Sequence, residues 1–173
     1  MNFAHLHVHT EYSLLDGSNK IKEYVARVKE LGMNSAAITD HGVMFGVIDF
    51  YRAAKAEGIK PILGCEVYVA PGSRFEKEAG TNEDRYYHLV LLAENNQGYA
   101  NLVKIVSKGF VEGYYYKPRV DLELLEQYHE GIIALSACLA GEVQRNLART
   151  MYEEAQRAAE PVSYTHLTLP TIA

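Results

Sequence analysis

The sequence predicts an α/β fold built on a mostly parallel sheet. Two observations lead there. Short apolar runs alternate along the chain with longer stretches in which apolar residues recur at helical spacing, the pattern of repeated βα units. The 173 residues, 48% hydrophobic and 23% charged, match one ordinary globular domain and exclude disordered, fibrous and low-complexity classes. Periodicity leaves the choice between a (β/α) barrel and an open sheet undecided.

Residues 3–10 open the chain as a strand, with Phe3, His5, His7 and His9 on one face and Ala4, Leu6 and Val8 on the other. Ser18 caps a helix carrying Ile21, Val25, Val28 and Leu31, and Gly32 stops it. Residues 35–39 form a second strand ending in Asp40-His41-Gly42, followed by a helix over Val47–Ala56 that Gly58 closes. A third strand covers residues 61–69. The polar, glycine-bearing stretch 71–85 reads as an exposed loop in which little chemistry is expected.

A fourth strand over 88–93 leads to a helix capped by Asn96, carrying Leu102, Val103 and Val106 and ended by Gly109. An aromatic stretch over 110–121 precedes a short helix to Gln127, a strand over 132–136 and a single helix over 142–159. Residues 161–173 continue neither that helix nor a βα unit, and they resemble the translation of a sequencing-library adapter. The expectation is therefore a native segment over 1–160 and a non-native tail over 161–173.

No apolar run approaches the ~20 residues of a bilayer span, and the N-terminus lacks the basic and apolar regions of a signal peptide. A cytoplasmic protein without a membrane partner is expected. The net charge of -5 supplies no basic field for gripping duplex DNA. Two cysteines are too few for a disulfide framework.

The sharpest chemical signal is His7-Val8-His9, because residues two apart on a strand point the same way and can grip one metal with two imidazoles. In a chain with seven histidines such a pair alone is unremarkable, and two polar residues at a strand end is the competing reading. The positions of the other ligand types strengthen the first reading. His41 follows the second strand, Glu66 lies within the third, His88 opens the fourth, and Cys138 follows the fifth, so one sheet edge can gather them. Imidazole, carboxylate and thiolate form a zinc, iron or manganese ligand set, and the absence of CxxC spacing favours a catalytic, multi-metal centre over structural zinc.

Asp16, before Gly17-Ser18, reads on its own chemistry as an ordinary turn residue. Asp40 has two readings of equal weight: it orients a ligand imidazole from behind, or it caps the next helix. His5 is read as a buried, hydrogen-bonded histidine, His129 as a cation at a helix C-terminus and Cys65, facing away from Glu66, as core. The run Tyr114-Tyr115-Tyr116-Lys117-Pro118-Arg119 offers rings for base stacking, but packing on its own domain is the favoured reading.

Taken together, the stretch from His7 to Gly17, Thr39-Asp40-His41-Gly42, Gly64-Cys65-Glu66 and the stretch from Leu135 to Glu142 resemble the PHP (polymerase and histidinol phosphatase) domain. The wording is that of the form carried at the N-terminus of bacterial replicative DNA polymerases, and the resemblance runs over 1–160. It implies a distorted (β/α)7 barrel, incomplete here. It places His7, His9, Asp16, His41, Glu66, His88 and Cys138 at ligand positions for two or three divalent transition metals (Zn, Mn or Fe), with Glu66 bridging two of them. His7, His9 and Glu66 would act catalytically through the bound metal.

The family pattern closes on a later Asp-x-His pair, absent here, where His166-Leu167-Thr168 lies in the suspect tail, so an impaired centre is implied. Such a centre supports phosphoester hydrolysis, in this setting 3′-to-5′ removal of nucleotides. Two alternatives stand beside it: a non-catalytic module that steadies the polymerase and docks a proofreading subunit, and a free-standing phosphatase of the same superfamily. The intact protein is expected to be a DNA-directed DNA polymerase. It would meet DNA and other replisome subunits through downstream domains that use magnesium.

Overall fold

The computed structural model describes residues 3–77 and 85–164. In chain order its elements are α1 (Ile21–Glu30), β1 (Ser35–Ile38), α2 (Val47–Ala56), β2 (Lys60–Val69), β3 (Tyr87–Ala93), α3 (Asn96–Val111), β4 (Tyr114–Tyr115), β5 (Lys117–Val120), α4 (Leu122–Gln127), β6 (Ile132–Leu135), α5 (Glu142–Ala148) and α6 (Tyr152–Tyr164). No helix among the described residues is long and apolar enough to cross a membrane.

The α/β class holds, but the sheet is mixed rather than mostly parallel. Its order is β4-β5-β2-β3-β6, with β1 also paired to β2. β1 and β2 are joined through α2 and run parallel, as do β2 and β5. β2 and β3 pair antiparallel, as do β3 and β6. A parallel neighbour needs a crossover connection, usually a helix, and the described part of the β2–β3 connection carries no helix.

Two apolar clusters hold the layers together. Ile21, Val25 and Val28 of α1 and Val47, Phe50 and Ala54 of α2 meet Ala36, Ile38 and Ile59. Leu102, Ile105 and Val106 of α3 and Leu124 of α4 cover Cys65, Val67, Val69, Leu91 and Val120. Along β2 the odd positions thus face the helices, and Glu66 and Tyr68 face the opposite side, as the period of a strand requires. Truncating the fully buried Phe50 to Ala would cost about 3–5 kcal/mol.

Several expected boundaries move, each for a local reason. Residues 3–10 are extended beside β1 but form no regular ladder. Ala37 N donates to His5 O at 3.2 Å and Thr39 N to Val8 O at 2.9 Å, while Val8 N turns to the hydroxyl Thr39 Oγ1 at 2.7 Å. Ser18 does not cap α1; Lys20 occupies that position, and Ile21 N donates to Glu11 Oε1 at 3.3 Å. Asn95, not Asn96, caps α3 by accepting from Gly98 N at 2.9 Å. That helix runs past Gly109, which is buried against Val120 rather than serving as a stop.

The expected aromatic loop contains the β4–β5 hairpin. The single helix over 142–159 is two, broken where Thr150 adopts φ 59. α6 continues through Pro161 to Tyr164, since a proline in the last turn removes only one intrahelical hydrogen bond; residues 165–173 lie outside the described residues. The loop after β2 also holds more chemistry than expected. Arg74 is buried, with Nη1 2.9 Å from Asp121 Oδ1 and Nε 2.7 Å from Glu112 Oε2.

Candidate metal centre

The face of the sheet opposite the α3 layer carries a cluster of imidazoles around one fully buried carboxylate, Glu66. Register places the first partner. Glu66 pairs with Val90 and Tyr68 with His88 across β2 and β3, so Glu66 and His88 are same-face diagonal neighbours. His88 Nδ1 makes close contact with Glu66 Oε1. His41 arrives from the end of β1, where it bridges Glu66 in parallel register, and its Nδ1 lies 3.5 Å from Glu66 Oε2.

His7 and His9 come from the extended N-terminal segment. Their Nε2 atoms each lie 2.6 Å from Glu66 Oε2 and 3.1 Å from one another. Asp16 closes the other side, with Oδ2 3.0 Å from His41 Nε2 and 3.6 Å from His9 Nδ1. A tight turn aims it: Asp16 N and Gly17 N donate to Ser13 O at 3.1 and 2.7 Å. A Cβ on Gly17 would meet Thr10 O at 1.8 Å, so that turn admits glycine alone. Cys138 stands at the rim, Sγ 3.6 Å from His88 Nδ1 and 4.0 Å from Glu66 Oε1.

Asp40 takes neither of its expected roles, because its oxygens are spent on the chain that carries the ligands. Oδ1 accepts from Thr10 N at 2.6 Å and from Ser13 Oγ at 2.7 Å, and Oδ2 accepts from Thr10 Oγ1 at 2.7 Å. It caps no helix and touches no imidazole; it fixes the backbone next to His9, and Ser13 Oγ in turn accepts from His41 N at 3.2 Å. His5 is exposed rather than buried, and among the described residues its ring meets only that of Phe3, at 4.8 Å. Cys65 is core, and His129 Nδ1 lies 2.6 Å from Glu126 O at the end of α4, both as expected.

Burial pushes the Glu66 carboxyl up, but the hydrogen bonds of His7, His88 and His9, with the charge of His41, outweigh it and hold it far below the usual carboxylate range. His9 is lowered by burial and raised more by Glu66 and Asp16, so it sits above its ordinary value. Asp16, despite desolvation, is lowered by its hydrogen bond to His41.

The ligand atoms fall into three overlapping sets: His7, His9 and Glu66; His9, Asp16 and His41; and His41, Glu66 and His88. His41 Nδ1 is buried without a hydrogen-bond partner. Several lone-pair atoms turned into one shared space, one of them orphaned, fit divalent cations as this donor chemistry requires. Cys138 borders the third set without joining it.

The PHP domain model matches residues 5–165 of this chain. The chain belongs to the PHP domain family. DNA polymerase III subunit alpha of Treponema pallidum (strain Nichols) is 52% identical over 159 residues, covering 92% of this chain and 14% of that protein. The subunits of the same name from Aquifex aeolicus (strain VF5) and Helicobacter pylori (strain ATCC 700392 / 26695) are 51% and 52% identical, covering 81% and 84% of this chain and 12% of each protein. The chain thus spans about one-seventh or less of the length of the curated relatives it matches.

Sequence reasoning found six of the residues that the geometry brings into the ligand sets, and it found Cys138 beside them. It missed Tyr68, whose ring stacks on His41 at 6.3 Å and meets His88 edge-on at 5.2 Å. The signal was available: Tyr68 lies two positions from Glu66 and so on its face.

Proposed function

We propose that this chain is the PHP portion of a replicative DNA polymerase subunit and that its metal centre hydrolyses phosphodiesters, removing nucleotides from the 3′ end of a DNA strand. The convergence of His7, His9, His41 and His88 on Glu66 carries the reading. His7, His9 and Glu66 would hold one cation, His9, Asp16 and His41 a second, and His41, Glu66 and His88, with Cys138 at the rim, a third. Zinc, manganese and iron all suit this donor set. Bound there, a divalent cation supplies a Lewis acid and lowers the pKa of water toward neutrality.

The chain's own residues do the positioning. Glu66 stays ionised throughout the neutral range and keeps the imidazoles aimed inward, while Asp40 holds the segment carrying His9. The similarity to polymerase subunits favours this reading over a free-standing phosphatase. In the whole subunit, DNA synthesis would belong to downstream domains using magnesium, with DNA and other replisome subunits as partners.

The test is His9→Ala in the whole subunit, followed by elemental analysis and by nucleotide release from a single-stranded 3′ end. The variant is expected to lose bound metal and nuclease activity while keeping DNA synthesis. Unchanged nuclease activity, or a folded wild-type protein without bound metal, overturns the proposal.

A further inference from the structure

The β4–β5 hairpin carries chemistry that the metal centre does not use. Tyr116, at its turn, is 61% exposed and has φ 60, a left-handed conformation rarely held by a tyrosine unless its surroundings fix it. The Arg85 guanidinium lies 4.1 Å from the Tyr116 ring centroid. The next residue, Lys117, places Nζ 5.4 Å from the Tyr68 ring, and no carboxylate among the described residues pairs with it. Tyr68 in turn stacks on His41 and meets His88. One ring therefore separates the Lys117 ammonium from two of the ligand imidazoles.

The base of the hairpin is rigid. Buried Arg119 donates from Nη2 to Glu76 O at 2.6 Å, from Nε to Gly113 O at 3.3 Å and from Nη1 to Arg85 O at 3.4 Å. It thereby fixes Arg85 relative to Tyr116.

We propose that this hairpin is the lip over which a single-stranded polynucleotide reaches the metal centre. Lys117 binds the backbone phosphate beside the scissile one, and an unpaired base stacks on Tyr116, whose ring Arg85 braces. Before any cation binds, Glu66 and Asp16 in a chain of net charge -5 repel an incoming strand, and Lys117 supplies a positive charge on the approach. A base paired within a duplex has no free face for Tyr116, whereas unpaired bases stack on exposed aromatic rings whatever their sequence. The location of the scissile phosphate rests on the hydrolytic function proposed above; strand binding itself needs no hydrolysis.

Binding of labelled oligothymidylate and oligouridylate to the full chain, followed by fluorescence anisotropy in chelator, tests this without turnover. Tyr116→Gly is expected to weaken binding of either strand about 5- to 100-fold, while thermal stability holds or rises because glycine suits the positive φ. Tyr116→Phe should bind as the wild type does. Lys117→Gln should weaken binding and reduce the slope of log affinity against log salt by about 0.7, and Lys117→Arg should restore both. Binding that is absent in the wild type, indifferent to both positions, or as tight for a duplex as for a single strand overturns the proposal. If the metal-loaded whole subunit fails to cleave bis(p-nitrophenyl) phosphate while the variants still weaken strand binding, the hydrolytic function falls and the lip stands; cleavage with binding unaffected by the variants has the reverse meaning.

Discussion

Two clusters of buried charge sit in this molecule and are completed in opposite ways. Around Asp121, every carboxylate oxygen has a donor. Arg74 Nη1 reaches both oxygens at 2.9 and 3.1 Å, Arg74 N donates to Oδ2 at 2.8 Å and Leu124 N to Oδ1 at 3.0 Å. Neighbouring Glu112 takes Arg74 Nε at 2.7 Å and Lys108 Nζ at 2.6 Å. Around Glu66 four imidazoles crowd one carboxylate, two ring nitrogens share a single oxygen at 2.6 Å, and His41 Nδ1 has no hydrogen bond at all. The first cluster balances itself; the second leaves lone-pair atoms unmatched, an arrangement that suits added cations. Each cluster has a buried carboxylate at its centre, so what separates a structural ion network from a site is the match of donors to acceptors.

The comparison breaks first at Arg74. Arg74→Met leaves Asp121 buried without its cation and should lower unfolding free energy by about 3–5 kcal/mol. Urea unfolding with chelator and with zinc should give the same loss, since no metal is involved. A loss confined to the zinc samples would mean that the two clusters are one.

Glu66→Gln sharpens the opposite side. Zinc affinity should fall at least about 100-fold, and the rise in Tm that zinc gives the wild type should vanish, whereas Arg74→Met should keep that rise. Isothermal titration and thermal melts read the two effects. In chelator, Glu66→Gln should move the melt less than Arg74→Met does. A larger shift would mean that the imidazole cluster supports the fold without metal.

These two clusters were unequally legible in the sequence. The ligand residues are chemically distinctive and fall at the ends of elements, so His41, Glu66, His88 and Cys138 could be picked out singly. His7 and His9 stayed on one side even though their segment forms no ladder, because extended backbone alone gives the alternation. Asp16 was different: an aspartate before Gly17-Ser18 looks the same as turn or ligand, and only resemblance to a family told them apart. Arg74 was invisible because its partners lie 38 and 47 residues away. Strand direction was misread because it depends on whether a connection holds a helix, and the break at Thr150 because no glycine marks its positive φ.

Acid separates the clusters by a smaller effect. Lys108 and Arg74 hold the Glu112 carboxyl below its ordinary value of 4.5. A folded-state pKa below the unfolded one contributes stability that is present above the ordinary value and lost as pH falls through the folded one. Metal-free wild type should therefore lose stability more steeply below about pH 4.5 than Glu112→Gln, whose stability at neutral pH starts lower. Denaturant midpoints taken from neutral to acid pH would show the curves converging; parallel curves would detach Glu112 from the network.

The smallest expected effect lies at His5, and it examines what alternation alone can do. His5, His7 and His9 occupy same-side positions in one extended segment, so a rule based on spacing would make all three ligands. His5, however, is exposed and its ring meets only that of Phe3 among the described residues, while His7 and His9 each have an oxygen of Glu66 at 2.6 Å. A substitution away from such contacts stays within about 0.5 kcal/mol, so His5→Ala should keep the metal stoichiometry and change zinc affinity by no more than about twofold. His7→Ala, at the next same-side position, should lose metal. If His5→Ala also released an equivalent of zinc, the segment's spacing would be selecting the ligands, and the carboxylate at residue 66 would no longer explain which imidazoles belong to the centre.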